Sequence, residues 1–461
     1  MNTHNLPAII NTMSENTQSK LFQANNQTKQ AVWPAGQDLD PHIFERLPEL
    51  RSLELSNGMR VVLLPGMQSR SFRVGVFVNG GALHQKIDKR GVPHFVEHMM
   101  FRSTELFKDT DVITEFEQDY NLDVNGYTSD DEQYYYVSAD LDDEATDAAA
   151  KLLSQIVLHP KLEAQYVELE KQIIYSEREA GESQPDQVVL DSQMQHFFSE
   201  NHPLGGGGVI GESKTILEYT HQDLIDFHGE YFNPTNMMLV MSGGVSLSRM
   251  QELAEKYFAV GAKTQWQKNK LIDKTRDTFK LETLVKRDFN HIDTSLGVYL
   301  SNSELPDYSL DSFALKAMWH ALSTRLFLDI REKRGLAYAV HASTFEVGHG
   351  NYVYMNAEFP KDKYVEGLKH LQEYAQNFDK LQMTADEFRR AMRSMKSTRW
   401  ADNVHIIAMF AAKRLFGEGS LISPEYKLKW LDQMNLEYVN DRVGALLANQ
   451  AAEMVVVGPI E

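Results

Sequence analysis

Residues 91–104 read GVPHFVEHMMFRST. Pro93 suits the first turn of a helix, where the N–H it lacks would have no partner. A helix advances about 100° per residue, so His94 and His98 share one face a turn apart, and Glu97 lies on it too. Two imidazoles so placed can take adjacent corners of a tetrahedral zinc site at about 2.0–2.1 Å. The glutamate beside them can accept a proton from a water without being a ligand. This is the H-x-x-E-H order, the inverse of the commoner H-E-x-x-H.

A catalytic zinc needs three protein ligands and an open position. The chain contains no cysteine, so the third must be His, Asp or Glu. VELEKQIIYSEREAGES offers Glu170 and Glu177. Seven residues return almost to the same helical azimuth, so both can face one site from a second helix.

At 461 residues the chain is too long for one compact core, and two domains of about 200 residues are expected. No apolar run approaches the roughly 20 residues of a membrane span. The N-terminus lacks the charged start and apolar core of a secretory signal, and no arginine precedes Arg46, so a cytoplasmic location is the expectation. The net charge of −19 speaks against nucleic acid or anionic lipid as partners. From Asp111 to Asp147 there are thirteen Asp/Glu and no Lys or Arg. Such a run reads as a solvated face or as an acidic cavity wall, and the latter would favour basic peptides.

Residues 1–45, rich in Asn, Gln, Thr and Ser, read as a flexible extension. LRSLELSNGMRVVLLPG, with Ser56-Asn57-Gly58 at its centre, predicts a hairpin. SFRVGVFV, QYYYVSADL and NMMLVMSGGV predict strands, and DEATDAAAKLLSQIVLHP and LEAQYVELEKQIIYSEREAG helices. A polar, nonperiodic stretch then predicts a linker over 259–282. The second half repeats the grammar: TSLGVYLSN, AYAVHASTFEV and YVYMNAEF as strands, SLDSFALKAMWHALSTRLFLDIREKRG as a long helix, and a Thr384–Glu387 capping box ahead of another. The expected fold class is α+β, with two similar domains of mostly antiparallel sheet and packed helices, 46–258 and 283–461.

GVPHFVEHMMFRST, followed by ELEKQIIYSERE, resembles the pitrilysin family of zinc metallopeptidases, in particular its two-domain branch around mitochondrial processing peptidase and its bacterial homologues. The resemblance runs through NGYTSDDEQYYYVS, HPLGGGGVIGESKTILEYTHQDL and STRLFLDIREKRGLAYAV, covering roughly residues 47–456. It implies His94, His98 and Glu177 as ligands of one zinc ion per chain, Glu97 as general base and Glu170 as support for the ligand set. It further implies Asn125 on a substrate-pairing strand, with Arg331 and Tyr338 reaching the substrate from the second domain. Gly126 and Ser103 depart from the family's alanine and glycine without removing a reactive group. The activity implied is hydrolysis of short or unfolded polypeptides in a chamber closed by a second subunit, a homodimer being favoured over an obligate heterodimer. The alternative is a noncatalytic partner or structural subunit, a class that typically lacks parts of these motifs.

Overall fold

The computed structural model describes residues 50–198, 200–263, 282–301, 305, 309–347, 350–397, 403–416, 424–448, 450 and 452–460. The expected extension 1–45 and most of the expected linker lie outside these residues.

The first sheet contains β1 (Arg51–Glu54), β2 (Arg60–Pro65), β3 (Ser71–Val78), β4 (Asp123–Thr128), β5 (Gln133–Asp140) and β6 (Met237–Gly243), in the order β1-β2-β6-β3-β5-β4. The second contains β7 (Glu282–Lys286), β8 (Ile292–Ser301), β9 (Ala339–Val347), β10 (Gly350–Phe359) and β11 (Glu453–Gly458), in the order β7-β11-β8-β10-β9. Both are antiparallel apart from one parallel pair each, β2 with β6 and β7 with β11. Taken in chain order, β2 to β6 therefore match β7 to β11 strand for strand. The protein is an α+β fold of two similar halves.

The helices repeat as well. Between β3 and β4 come α1 (Val92–Met100) and α2 (Thr110–Asp119). Between β5 and β6 lie α3 (Asp143–Leu158), α4 (Val167–Glu182), α5 (Pro185–Phe197), α6 (Ser213–Glu218) and α7 (His221–Tyr231), and α8 (Leu247–Phe258) follows β6. In the second half α9 (Leu310–Leu326) runs into a π-helical turn, Phe327–Lys333. Between β10 and β11 come α10 (Tyr364–Ala375), α11 (Ala385–Met395), α12 (Val404–Phe416), α13 (Pro424–Gln433) and α14 (Leu436–Leu447). The Thr384–Glu387 capping box forms at the start of α11. The acid-rich run is divided among several elements. Asp111, Asp143 and Glu144 sit in first turns of helices, where negative charge is favourable, and Asp147 pairs with Arg249 and Lys256.

Alternate residues of each central strand bury on opposite faces. Val61, Leu63, Leu239 and Met241 join one core with Phe95, Val96 and Met99 of α1. Val62, Leu64, Met238 and Val240 join a smaller core on the far face, completed by Ala408 and Ala412 of α12. Burial on both faces explains why these strands read as continuous apolar runs. The second sheet is treated in the same way. Its main core holds Leu296, Val298, Met355 and Val456. On the far face, Val188 and Val189 of α5 pack against Val455 and Val457, and Phe197 packs against Tyr299 and Tyr352.

The third helix of each five-helix set thus crosses to cover the other half's sheet. Hydrogen bonds lock both crossings. Gln193 of α5 donates to the Tyr352 hydroxyl at 2.5 Å, and the His405 ring of α12 bonds Ser71 at 2.9 Å and Ser242 at 2.8 Å.

Asp293 on β8 lies on this interface side of the second sheet. It is 2 % exposed and accepts from Asn356 at 2.9 Å. Burial pushes its carboxyl up to about 7, with Glu358 and Asp186 adding to the rise against the hydrogen bond from Asn356. Folding therefore favours the protonated form. That stabilisation is complete below the unfolded value, near 3.9, and is lost as pH rises through about 7. Asp293→Asn is expected to unfold at a higher temperature than wild type at pH 8, reflecting at most roughly 4 kcal/mol. The difference should narrow at pH 5 in scanning calorimetry; an equal difference at both pH values would mean that Asp293 titrates like a surface carboxyl.

Candidate metal centre

The opening stretch forms α1, capped by Gly91 with Pro93 in its first turn. Val92, Phe95, Val96, Met99 and Met100 are buried in the first core. That leaves His94, Glu97 and His98 turned towards α4, whose Val167 and Ile174 pack into the same core. Gly91 has φ +95°, and a Cβ there would lie 2.1 Å from the carbonyl oxygen of Ile210. The glycine-rich loop 205–211 therefore crosses the start of α1 in backbone contact. Arg90 adds hydrogen bonds to the carbonyls of Pro203 at 3.2 Å and His202 at 3.0 Å, and the Gln85 side chain accepts from Gly91 N at 2.6 Å.

The donor atoms of His94, His98 and Glu177 lie within 4.8 Å of one another. His94 Nε2 stands 3.7 Å from Glu177 Oε1, and His98 Nε2 stands 3.5 Å from Glu177 Oε2. Ligand atoms of a tetrahedral zinc ion are roughly 3.3 Å apart, so this set fits zinc with little adjustment. Glu170 is fully buried and sits at the other end of the His98 ring, its Oε2 3.1 Å from Nδ1. Such a hydrogen bond holds the proton on Nδ1 and leaves Nε2 free to donate to a metal.

The charges suit a cation. Burial, aided by neighbouring His98, drives His94 down to about 4, so its imidazole is neutral. Burial also works to lower His98, but hydrogen bonds to Glu170 and Glu177 outweigh it and push it up to about 9. A proton there answers the two carboxylates, as a divalent ion on Nε2 would. The hydrogen bond from His98 holds the Glu177 carboxyl below its ordinary value. Glu97 is buried beside this set, and burial raises its carboxyl while a hydrogen bond from Thr128 opposes the rise. The Thr128 hydroxyl donates to Glu97 Oε2 at 2.5 Å.

Thr128 is a residue that the reading of the sequence did not single out. Strand alternation carried the signal, since Val124, Gly126 and Thr128 face α1 whereas Asp123, Asn125 and Tyr127 face the opposite way. Asn125 is exposed on β4, an edge of the first sheet, and its side-chain oxygen accepts from Gly126 N at 2.8 Å. A Cβ at Gly126 would lie 3.1 Å from Phe101 Cζ, so the departure from alanine sits against that ring. Arg331 and Tyr338 form a separate group in the second half. The Arg331 guanidinium stands over the rings of Phe327 at 5.1 Å and Tyr338 at 5.4 Å, and Tyr338 is 76 % exposed. Among the described residues no hydrogen bond or ion pair joins this group to the histidines.

The chain is thus an α+β fold of two like halves with a His/His/Glu cluster beside a tethered glutamate, and comparison with known proteins identifies its family. The model "Insulinase (Peptidase family M16)" matches residues 60–205, which contain His94, Glu97, His98, Glu170 and Glu177. "Peptidase M16 inactive domain" matches residues 218–395, which contain Arg331 and Tyr338. The chain belongs to this family, the pitrilysin family, and within it to the two-domain, processing-peptidase-like proteins. It is 27% identical over 290 residues to the "Uncharacterized zinc protease YmxG" of Bacillus subtilis, covering 62% of this chain and 68% of that one. It is 25% identical over 419 residues to an "Uncharacterized zinc protease" of Mycobacterium leprae, covering 88% and 91%. The Saccharomyces cerevisiae "Mitochondrial-processing peptidase subunit beta" matches at 28% over 216 residues, 47% of this chain and 46% of that one. In fold, a protease from Helicobacter pylori aligns with a TM-score of 0.77 at 19% identity, over 90% of this chain and all of that one. Among the described residues no helix is long and apolar enough to cross a membrane.

The contact between Gly91 and the 205–211 loop is open to a direct test. Gly91→Ala imposes a left-handed backbone on a residue with a Cβ and drives that Cβ into a carbonyl, so it should lower Tm by several °C and weaken zinc binding. Gly229→Ala is the control. It lies inside α7 with nothing within 4 Å of its Cβ, and should stabilise by roughly 0.5–1 kcal/mol. Thermal melts with and without zinc check both, and an unchanged Tm for Gly91→Ala would show that the loop yields.

Proposed function

We propose that this protein is a zinc-dependent endopeptidase that cleaves short or unfolded polypeptides. The observation that carries this reading is the convergence of His94, His98 and Glu177 on one point, with Glu97 on the same helix face but hydrogen-bonded by Thr128. His94, His98 and Glu177 would hold the zinc. Bound there, zinc would supply Lewis-acid chemistry, polarising a carbonyl and making water a competent nucleophile near neutral pH.

Glu97 acts as the general base. Thr128 occupies its Oε2, leaving Oε1 to take the proton of the attacking water and later deliver it to the leaving amine. The raised carboxyl suits both transfers. Glu170 keeps His98 oriented. Asn125 lies on the open edge of the first sheet, where an extended peptide could add as a strand and be held by its backbone. Arg331 and Tyr338 reach the scissile carbonyl from the second half and donate to its oxygen as charge develops. Asp123, which shares a face with Asn125, supports the preference for basic peptides. We assign 46–258 as the peptidase domain, 259–282 as linker after an extension 1–45, and 283–461 as the substrate-contacting domain. Two such chains would close the chamber as a homodimer, and a cytoplasmic location remains our assignment.

Glu97→Gln tests the reading, because an amide cannot accept the proton. The purified variant should keep one zinc per chain by metal analysis and lose essentially all cleavage of a peptide library read by mass spectrometry. Cleavage by wild type should stop on chelation. Near-normal cleavage by the variant would remove Glu97 from the chemistry, and a wild type that binds no zinc would return the protein to the noncatalytic class.

The second-half group carries its own expectation. A positioned oxyanion donor is worth about 100- to 1000-fold in turnover. Tyr338→Phe and Arg331→Ala should each lower kcat/KM by at least about tenfold with zinc content and Tm unchanged. Arg334 pairs with Asp329 at 3.2 Å, and Arg334→Ala should leave kinetics as they are. Equal losses in all three variants would reduce the segment to a helix end.

A further inference from the structure

A carboxylate with no exposure must be compensated on both oxygens or it destabilises the fold. Glu170 is such a group. Its Oε2 faces His98 Nδ1 at 3.1 Å, and its Oε1 accepts from Arg102 Nε. Each oxygen has one named partner, so the guanidinium fixes the rotation of the carboxylate plane about its own axis. That rotation determines where Oε2 meets the imidazole, and so where His98 Nε2 points.

Arg102 is itself anchored. It follows the end of α1, its N–H donates to the Met99 carbonyl at 3.2 Å, and its own carbonyl accepts from Thr110 at 3.4 Å. A cation at that place also suits the negative end of α1, which is the role a purely structural arginine would have.

We propose that Arg102 is a positioning residue of the metal centre, acting through Glu170 to set the orientation of the ligand His98. This rests on the zinc-site assignment above, but not on any assignment of substrate. Lysine can supply the charge but not a planar fork, so Arg102→Lys should hold Glu170 less well than arginine and better than alanine. Because Arg102 acts through Glu170, its loss should matter only while Glu170 can accept from it.

Zinc affinity measured by competition with a fluorescent chelator decides this without any peptide substrate. Partners of metal ligands are typically worth about 10- to 100-fold in affinity. Arg102→Ala should weaken zinc binding by about tenfold or more, with Arg102→Lys in between, and Glu170→Gln should weaken it too. In a Glu170→Ala background, where residue 170 offers an acceptor to neither Arg102 nor His98, adding Arg102→Ala should change affinity less than about twofold. This double variant also covers the case in which Arg102→Ala alone does not fold. Wild-type affinity in Arg102→Ala, or a further tenfold loss in the double variant, would leave Arg102 as an ordinary ion pair at a helix end. A wild type that binds no zinc would overturn the metal assignment and this role together. A wild type that binds zinc but cleaves nothing would overturn the peptidase reading alone, and the affinity series would still decide the role of Arg102.

Discussion

The site depends on how α4 grips one imidazole from both ends. Glu170 meets His98 at Nδ1 and Glu177 meets it at Nε2, and the two glutamates are two turns apart on one helix. The separation of the two ring nitrogens therefore fixes the registry of α4 against α1. Were α4 to slide by one turn, about 5.4 Å, Glu177 would lose the ring and the buried Glu170 would lose its hydrogen bond to Nδ1. The apolar residues of both helices make that slide costly as well, since Ile174, Val96 and Met99 share a core. Chemistry and packing thus select the same arrangement.

Much of this was legible in the sequence, because helix periodicity is a local property. The spacing of His94, Glu97 and His98 placed them on one face, and the seven-residue step from Glu170 to Glu177 placed both on another. The strands, the Ser56-Gly58 turn and the Thr384–Glu387 cap are likewise local signals. What was not legible depends on contacts distant along the chain. Thr128 reaches Glu97 only once β4 has been laid beside α1, and Arg102 finds Glu170 across 68 positions. The apparent unity of the acid-rich run 111–147 was also a property of the sequence alone, since folding distributes it over helix starts, an edge strand and an ion-pair network.

The two halves share a topology but not a chemistry. Where the first half places α1 with its histidines, the second places α9 and a π-helical turn ending in Arg331 and Lys333. A π turn holds an extra residue, and such turns recur where a helix must redirect side chains. Here it brings the guanidinium of Arg331 over Phe327 and Tyr338. One scaffold thus presents a His/His/Glu cluster from one copy and an aromatic-backed cation from the other.

The exchanged helices also set an order on the making of the protein. The far face of the first sheet, with Val62, Leu64, Phe77, Met238 and Val240, is covered by α12, which begins at Val404. The last strand of that sheet ends at Gly243. At about 5–20 residues per second, synthesis leaves that apolar face open for roughly ten to thirty seconds after the sheet can form. Chaperones on the nascent chain would meet it during this interval, and a ribosome stalled in between would release a half-protein with an adhesive side.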